Sequence, residues 1–121
     1  MVLVAVDDLL FSSKIRATAR QAGVELAFAR TPEEILAQAR TTSPALVIFD
    51  LNSSKTDPIA TIGALKEDPL LAPIRVVGFA SHVHTDLIAS AQAAGADQVM
   101  PRSAFAGSLA EILLSSRHPP L

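Results

Sequence analysis

The sequence predicts an α/β fold: a three-layer αβα sandwich built on a doubly wound, parallel, five-stranded sheet in the order 2-1-3-4-5. Three observations predict it. Short apolar runs rich in Val, Ile and Phe recur along the 121 residues, and each is followed by a stretch with apolar residues at helical spacing. The runs are apolar throughout instead of alternating, as strands covered on both faces must be. Strand–helix alternation implies parallel pairing with right-handed crossovers, and a chain this short with five such units favours that strand order.

The elements follow in turn. Residues 2–6 form the first strand and end in two acids, Asp7 and Asp8. Residues 12–22 place Ile15, Ala19 and Ala22 on one helical face, and Gly23 stops the helix. Residues 24–28 are the second strand. Thr31 then caps a helix, Pro32 fits its first position, and Glu34 completes a capping box. That helix runs to about Arg40, before Ser43 and Pro44 break the chain. Residues 45–49 are the third strand, which ends at Asp50. Asp57 and Pro58 open the third helix, with Ile59, Ile62, Leu65 and Lys66 behind them. Pro69 and Pro73 bracket a loop. Residues 74–79 are the fourth strand, Thr85–Ala94 the fourth helix with Gly95 as its stop, and residues 97–100 the fifth strand. One last helix spans residues 103–115, with Phe105, Leu109, Ile112 and Leu113 on one face. Residues 1–116 read as a single domain and residues 117–121, with Pro119 and Pro120, as a frayed tail.

Composition narrows the function. Half the residues are hydrophobic and 18% are charged, so the chain folds and is not intrinsically disordered. The net charge is -2, which implies no strongly basic face for nucleic acid. The longest apolar run, residues 1–6, falls far short of the ~20 residues that span a bilayer. Cysteine is absent, which excludes disulfides, thiol catalysis and zinc–thiolate sites. A cytoplasmic domain with no membrane partner is the expectation.

In a sheet of this order a ligand site lies beyond the carboxyl ends of strands one and three, where the order reverses. Asp7 and Asp8 leave strand one there and Asp50 leaves strand three. Carboxylates brought together repel, which raises their pKa values or recruits a hard cation such as Mg2+. Asp8 alone reads equally well as a helix cap. Three acids at adjacent strand ends favour a functional pocket.

These residues resemble those of the receiver domains of bacterial response regulators. The resemblance rests on Val6, Asp7 and Asp8, on the strand Leu46, Val47, Ile48, Phe49 and Asp50, and on Ala93, Ala94, Gly95, Ala96 and Asp97 before strand five. It implies a CheY-like, flavodoxin-like fold and a place in phosphorelay, that is two-component, signalling. It implies Asp50 as phospho-acceptor, and Mg2+ held by Asp8, Asp7, Asp50 and the backbone carbonyl of Asn52. A histidine kinase or a downstream signalling protein is the implied partner. A homodimer through helix four, strand five and helix five is a further implied assembly, drawing on Ala89, Ala91, Ala93, Ala94, Phe105 and Leu109. The family acts in signalling and is not an enzyme class in the ordinary sense.

The departures define an atypical, or pseudo-receiver, variant. The family's strand-four hydroxyl falls on Ala80, with Ser81 next to it. The family's Lys after strand five falls on Arg102, followed by Ser103; a gapped alignment instead sets Met100 and Pro101 there and leaves no cation. Arg102 and Ser81 are the residues left to contact a phosphoryl group. Arg102 is also in reach of Asp50 when no phosphoryl group is present. The switching aromatic falls on Val99, and the chain has no Tyr.

Other constellations carry less. His82 and His84 lie in the loop after strand four and read as solvated. Ser12 and Ser13 read as helix-capping residues, and Lys14, Arg16 and Arg20 as a solvated basic face. A haloacid-type phosphatase needs a second acid at position 9, which is Leu9. Three functions follow: a receiver switched at Asp50, a phosphorylation-independent interaction module on the same fold, and, well behind, a metal-dependent phosphoryl-transfer enzyme.

Overall fold

The computed structural model describes residues 1–81 and 85–116. His82, His84 and the expected tail at 117–121 lie outside the described residues. The chain runs β1 (Val2–Ala5), α1 (Leu9–Ala22), β2 (Leu26–Phe28), α2 (Pro32–Thr42), β3 (Leu46–Asp50), α3 (Pro58–Glu67), β4 (Arg75–Ala80), α4 (Thr85–Ala94), β5 (Gln98–Pro101), α5 (Arg102–Gly107) and α6 (Leu109–Ser115). All strand pairs are parallel, and the sheet order is β2-β1-β3-β4-β5.

Strand side chains alternate between faces, so each apolar strand feeds two cores. The register aligns Val4, Ile48 and Val77 across β1, β3 and β4, and Leu3, Val47 and Val76 beside them. The first row packs with Phe11, Ile15, Phe105, Leu109 and Leu113 from α1, α5 and α6. The second packs with Ile35, Ala39, Ile62, Leu65 and Ala91 from α2, α3 and α4. Phe79 stacks on Phe105 at 4.5 Å between ring centroids, and Phe11 meets both edge-on at 4.9 and 5.7 Å. Such offset and edge-on contacts suit the aromatic quadrupole.

Several boundaries move for identifiable reasons. α1 starts at Leu9 because Asp8 caps it, its Oδ1 accepting from the N–H groups of Leu10 (3.0 Å) and Phe11 (3.2 Å). Ser12 and Ser13 therefore lie inside the helix and cap nothing; Ser12 Oγ donates to the Val6 carbonyl at 3.3 Å. Thr31 Oγ1 accepts from the Glu34 N–H as expected, but Glu34 Oε2 reaches the N–H of Arg30 instead of Thr31. The single last helix is two. Ser108 leaves helical geometry (φ -109°, ψ 10°) and α6 begins after it. The expected face survives the break, since Phe105, Leu109, Ile112 and Leu113 are all buried. Gly23 ends α1 in the left-handed conformation at φ 70°.

The end of the sheet opposite Asp50 is held by a cation. Lys66 Nζ donates to the carbonyls of Ala72 (3.0 Å) and Ile74 (2.8 Å) and pairs with Asp97 Oδ2 (2.9 Å). The same Asp97 oxygen accepts the Val76 N–H at 2.8 Å. Gly95 turns beside this stem at φ 114°, and a Cβ there would stand 2.7 Å from Lys66 Cγ. α3, the loop before β4 and the start of β5 are thereby tied together. Among the described residues no helix is long and apolar enough to cross a membrane.

Candidate functional site

β1 and β3 are neighbours in parallel register, with Ala5 opposite Phe49. Their last residues therefore reach the same edge, and Asp50, Asp7 and Asp8 gather at one end of the sheet. Asp50 ends a strand flanked on both sides and is only 6% exposed. That burial is the main cause raising its pKa above the ordinary carboxylate value; the N–H of Asn52 and the charge of Arg102 pull it down, and Asp7 and Asp8 add smaller upward pushes. Mutual repulsion, the cause expected from the sequence, is thus secondary to desolvation. Asp8 moves the opposite way. Its pKa is lowered, first by the hydrogen bond from Arg102 and then by the backbone N–H of Phe11.

The chain after Asp50 folds back onto it. Asp50 Oδ1 accepts the Asn52 N–H at 2.9 Å, and the Asp50 carbonyl accepts the Ser53 N–H at 3.1 Å. Ser53 Oγ then donates to Asp7 Oδ2 at 3.1 Å. Asn52 Oδ1 accepts the N–H of Ser81 at 3.1 Å. The loop between β3 and α3 is in this way tied to the ends of both β1 and β4. Ser53 is a site residue that sequence reasoning passed over. Its position in the loop after Asp50 was visible, but its partner lies 46 positions away.

Arg102 is the first residue of α5, and its Nη2 donates to Asp8 Oδ2 at 2.8 Å. Its guanidinium carbon lies 4.6 Å from the centroid of the Phe11 ring, within cation–π range. The expected pairing with Asp50 is therefore corrected: Arg102 takes Asp8. The reason is placement, because Asp8 and Phe11 share the first turn of α1, against which the start of α5 packs. Ala80 is fully buried and Val99 half-buried against the core of α3 and α4. Phe105 and Leu109, expected on a dimer face, are core residues of the other side. A groove of about 520 Å³ adjoins the acids, with Phe11, Lys14, Ser81 and Arg102 among its lining. Arg16 lies over the ring of Phe28 at 4.6 Å, away from that groove's lining.

The donor chemistry, all carboxylate and carbonyl oxygen, is that of a Mg2+ site. In this structure Asp7 and Asp8 are turned to other partners. Among the described residues no group of three or more His, Cys, Asp or Glu side chains is placed to hold a metal ion. One Asp8 oxygen caps α1 and the other holds Arg102, while Asp7 binds Ser53.

No family model matches the sequence, and no curated protein matches it. Solved structures match it well. A response regulator from Hahella chejuensis is 21% identical, with a TM-score of 0.84 over 97% of this chain and 94% of that one. The receiver domain of NtrX from Brucella abortus is 22% identical, with a TM-score of 0.79 over 95% and 98%. The Mn2+-bound form of response regulator Rcp1 is 18% identical, with a TM-score of 0.75 over 94% and 88%. The protein has the CheY-like fold of response-regulator receiver domains.

Proposed function

We propose that this protein is a receiver-type signalling domain of the two-component class, carrying Asp50 as phospho-acceptor in a pocket whose switch residues are altered. The observation that carries the reading is Asp50 itself: a buried carboxylate at the end of the central strand, beside Asp7 and Asp8, where a doubly wound sheet places its ligand. The Asp50 carboxylate attacks the donor's phosphorus. An acyl phosphate O–P bond forms as the donor's own bond to that phosphorus breaks, and the donor leaves with the electron pair. Arg102 and Ser81, on the lining of the adjoining groove, are the groups this reading assigns to the phosphoryl oxygens. Mg2+ belongs to the reading as the cation of Asp7, Asp8, Asp50 and the Asn52 carbonyl once Asp8 is released from Arg102. Residues 1–116 act as one domain under it. Its partners are a histidine kinase or a downstream signalling protein. A second copy meeting α4, β5 and α5 would use Ala89 and Ala93, which are exposed.

The test is incubation with a small-molecule phosphodonor such as acetyl phosphate, followed by intact mass measurement and by Asp50→Asn. A mass increase of one phosphoryl group that the variant abolishes is expected. No adduct, or an adduct that survives Asp50→Asn, overturns the reading. A second reading, a phosphorylation-independent interaction module, is favoured by Ala80 and Val99. Neither can hydrogen-bond a phosphoryl group or swing an aromatic ring between two states.

A further inference from the structure

We infer that Arg102 is the resident cation of the acidic pocket, so that its pair with Asp8 and a divalent cation at Asp8 exclude one another. The inference takes the choice of carboxylates from the reading above and nothing else.

Arg102 is placed where its own helix disfavours it. It opens α5, at the end where backbone N–H groups concentrate positive charge and where a cation is repelled. What holds it there is external to α5: the carboxylate of Asp8 at 2.8 Å and the face of Phe11 at 4.6 Å, both from the first turn of α1. Asp8 in turn is engaged at both oxygens. Its Oδ1 accepts two backbone N–H groups and its Oδ2 accepts Arg102, so a divalent cation at Oδ2 would have to share that oxygen with a guanidinium held 2.8 Å away. The capping bonds are part of α1. The bond to Arg102 is the one that can open without unwinding a helix. A divalent cation approaching Asp8 also meets the guanidinium charge at close range. The pocket thus carries a tethered positive charge that offsets part of its negative charge without metal.

The experiment titrates Mn2+ into the full chain and follows paramagnetic broadening of backbone amides at residues 7, 8 and 50–53. Wild type is compared with Arg102→Met, which removes the charge and keeps the bulk over Phe11, and with Arg102→Gln as a second neutral variant. Both neutral variants are expected to bind Mn2+ roughly five- to tenfold more tightly, the scale of one exposed ion pair plus relief of charge repulsion. Adding Asp8→Asn to Arg102→Met is expected to erase the gain. In wild type, saturation with diamagnetic Mg2+ is expected to move the Arg102 side-chain Nε–H resonance, in proportion to occupancy of the site. Equal affinity in wild type and the neutral variants overturns the inference, and so does absence of binding in all of them. Metal bound by wild type with an unmoved Arg102 resonance overturns it as well. If acetyl phosphate fails to modify Asp50 while the neutral variants gain affinity, the signalling reading falls and this inference stands.

Discussion

At the residue scale the site is governed by where each carboxylate finds its partners. Asp50 and Asp8 are chemically identical and sit at adjacent strand ends, yet their pKa values move in opposite directions. Asp50 is buried, and burial penalises its charge; Asp8 is reached by a guanidinium and two N–H groups, which favour its charge. This fixes a pH dependence. Because the folded pKa of Asp50 is raised, its contribution to stability is fully present below the unfolded value and is lost as pH rises through the folded one. Asn in its place keeps an acceptor for the Asn52 N–H and has no such loss. Asp50→Asn is therefore expected to be more stable than wild type at neutral pH, with the advantage shrinking as pH falls toward the ordinary carboxylate range. Asp8 contributes with the opposite sign, present above its unfolded pKa and lost as pH falls through its lowered folded pKa, but it does so in both proteins and cancels from the difference. Urea unfolding midpoints at a series of pH values read the effect, and a pH-independent difference would contradict it.

At the element scale, the two ends of the sheet are held by different means. The end that carries Asp50 is tied by the loop after it, and the opposite end by Lys66, which reaches two carbonyls and Asp97. Lys66→Met keeps the stem over Gly95 but leaves the carbonyls of Ala72 and Ile74 without their donor. A loss of about 1–3 kcal/mol in urea unfolding is expected, the usual cost of stranding part-buried acceptors. A loss below a few tenths would mean that water replaces the ammonium. α3 offers the converse case. Gly63 lies inside the helix and a Cβ there would meet nothing within 4 Å. Gly63→Ala is expected to stabilise the protein by about 0.5–1 kcal/mol by limiting the unfolded chain; destabilisation would show that α3 bends there in solution.

At the scale of the whole molecule, under the proposed reading a signal written at Asp50 would travel only through contacts that differ between two states. The route through strand four to strand five passes Ala80, fully buried and without a hydroxyl, and Val99, packed on the core of α3 and α4. Loading Asp50 with beryllofluoride and Mg2+ is therefore expected to change hydrogen exchange in residues 50–57, at Ser81 and around Arg102, with α4, α5 and α6 nearly unchanged. Broad changes over those helices would restore an ordinary switch. Self-association through α4 is expected to be weak, because Phe105 and Leu109 lie in the core and the exposed residues of α4, such as Asp86, Ala89, Gln92 and Ala93, are small or polar. Sedimentation velocity should detect dimer at high concentration only, and Ala93→Glu should remove it. A strict monomer at every concentration would exclude this surface as a self-association site.

The strand order, both layers of helices and the meeting of Asp7, Asp8 and Asp50 were legible in the sequence. They rest on local signals, namely apolar runs, caps such as Thr31 and stops such as Gly23, combined with the chirality of parallel crossovers. Boundaries slipped where a polar residue had two local uses, as with Asp8 against Ser12 and Ser13 at the start of α1. The break at Ser108 was hidden because the face of Phe105, Leu109, Ile112 and Leu113 continues across it. The pairings inside the pocket were decided only by tertiary structure. Arg102 and Asp8 are 94 positions apart, and Ser53 and Asp7 are 46 apart. No periodicity encodes which of three nearby carboxylates a guanidinium will take. That choice depends on ångström-scale placement of α5 against α1, on the ring of Phe11 beneath the guanidinium, and on a burial that leaves Asp50 dry and Asp8 within reach.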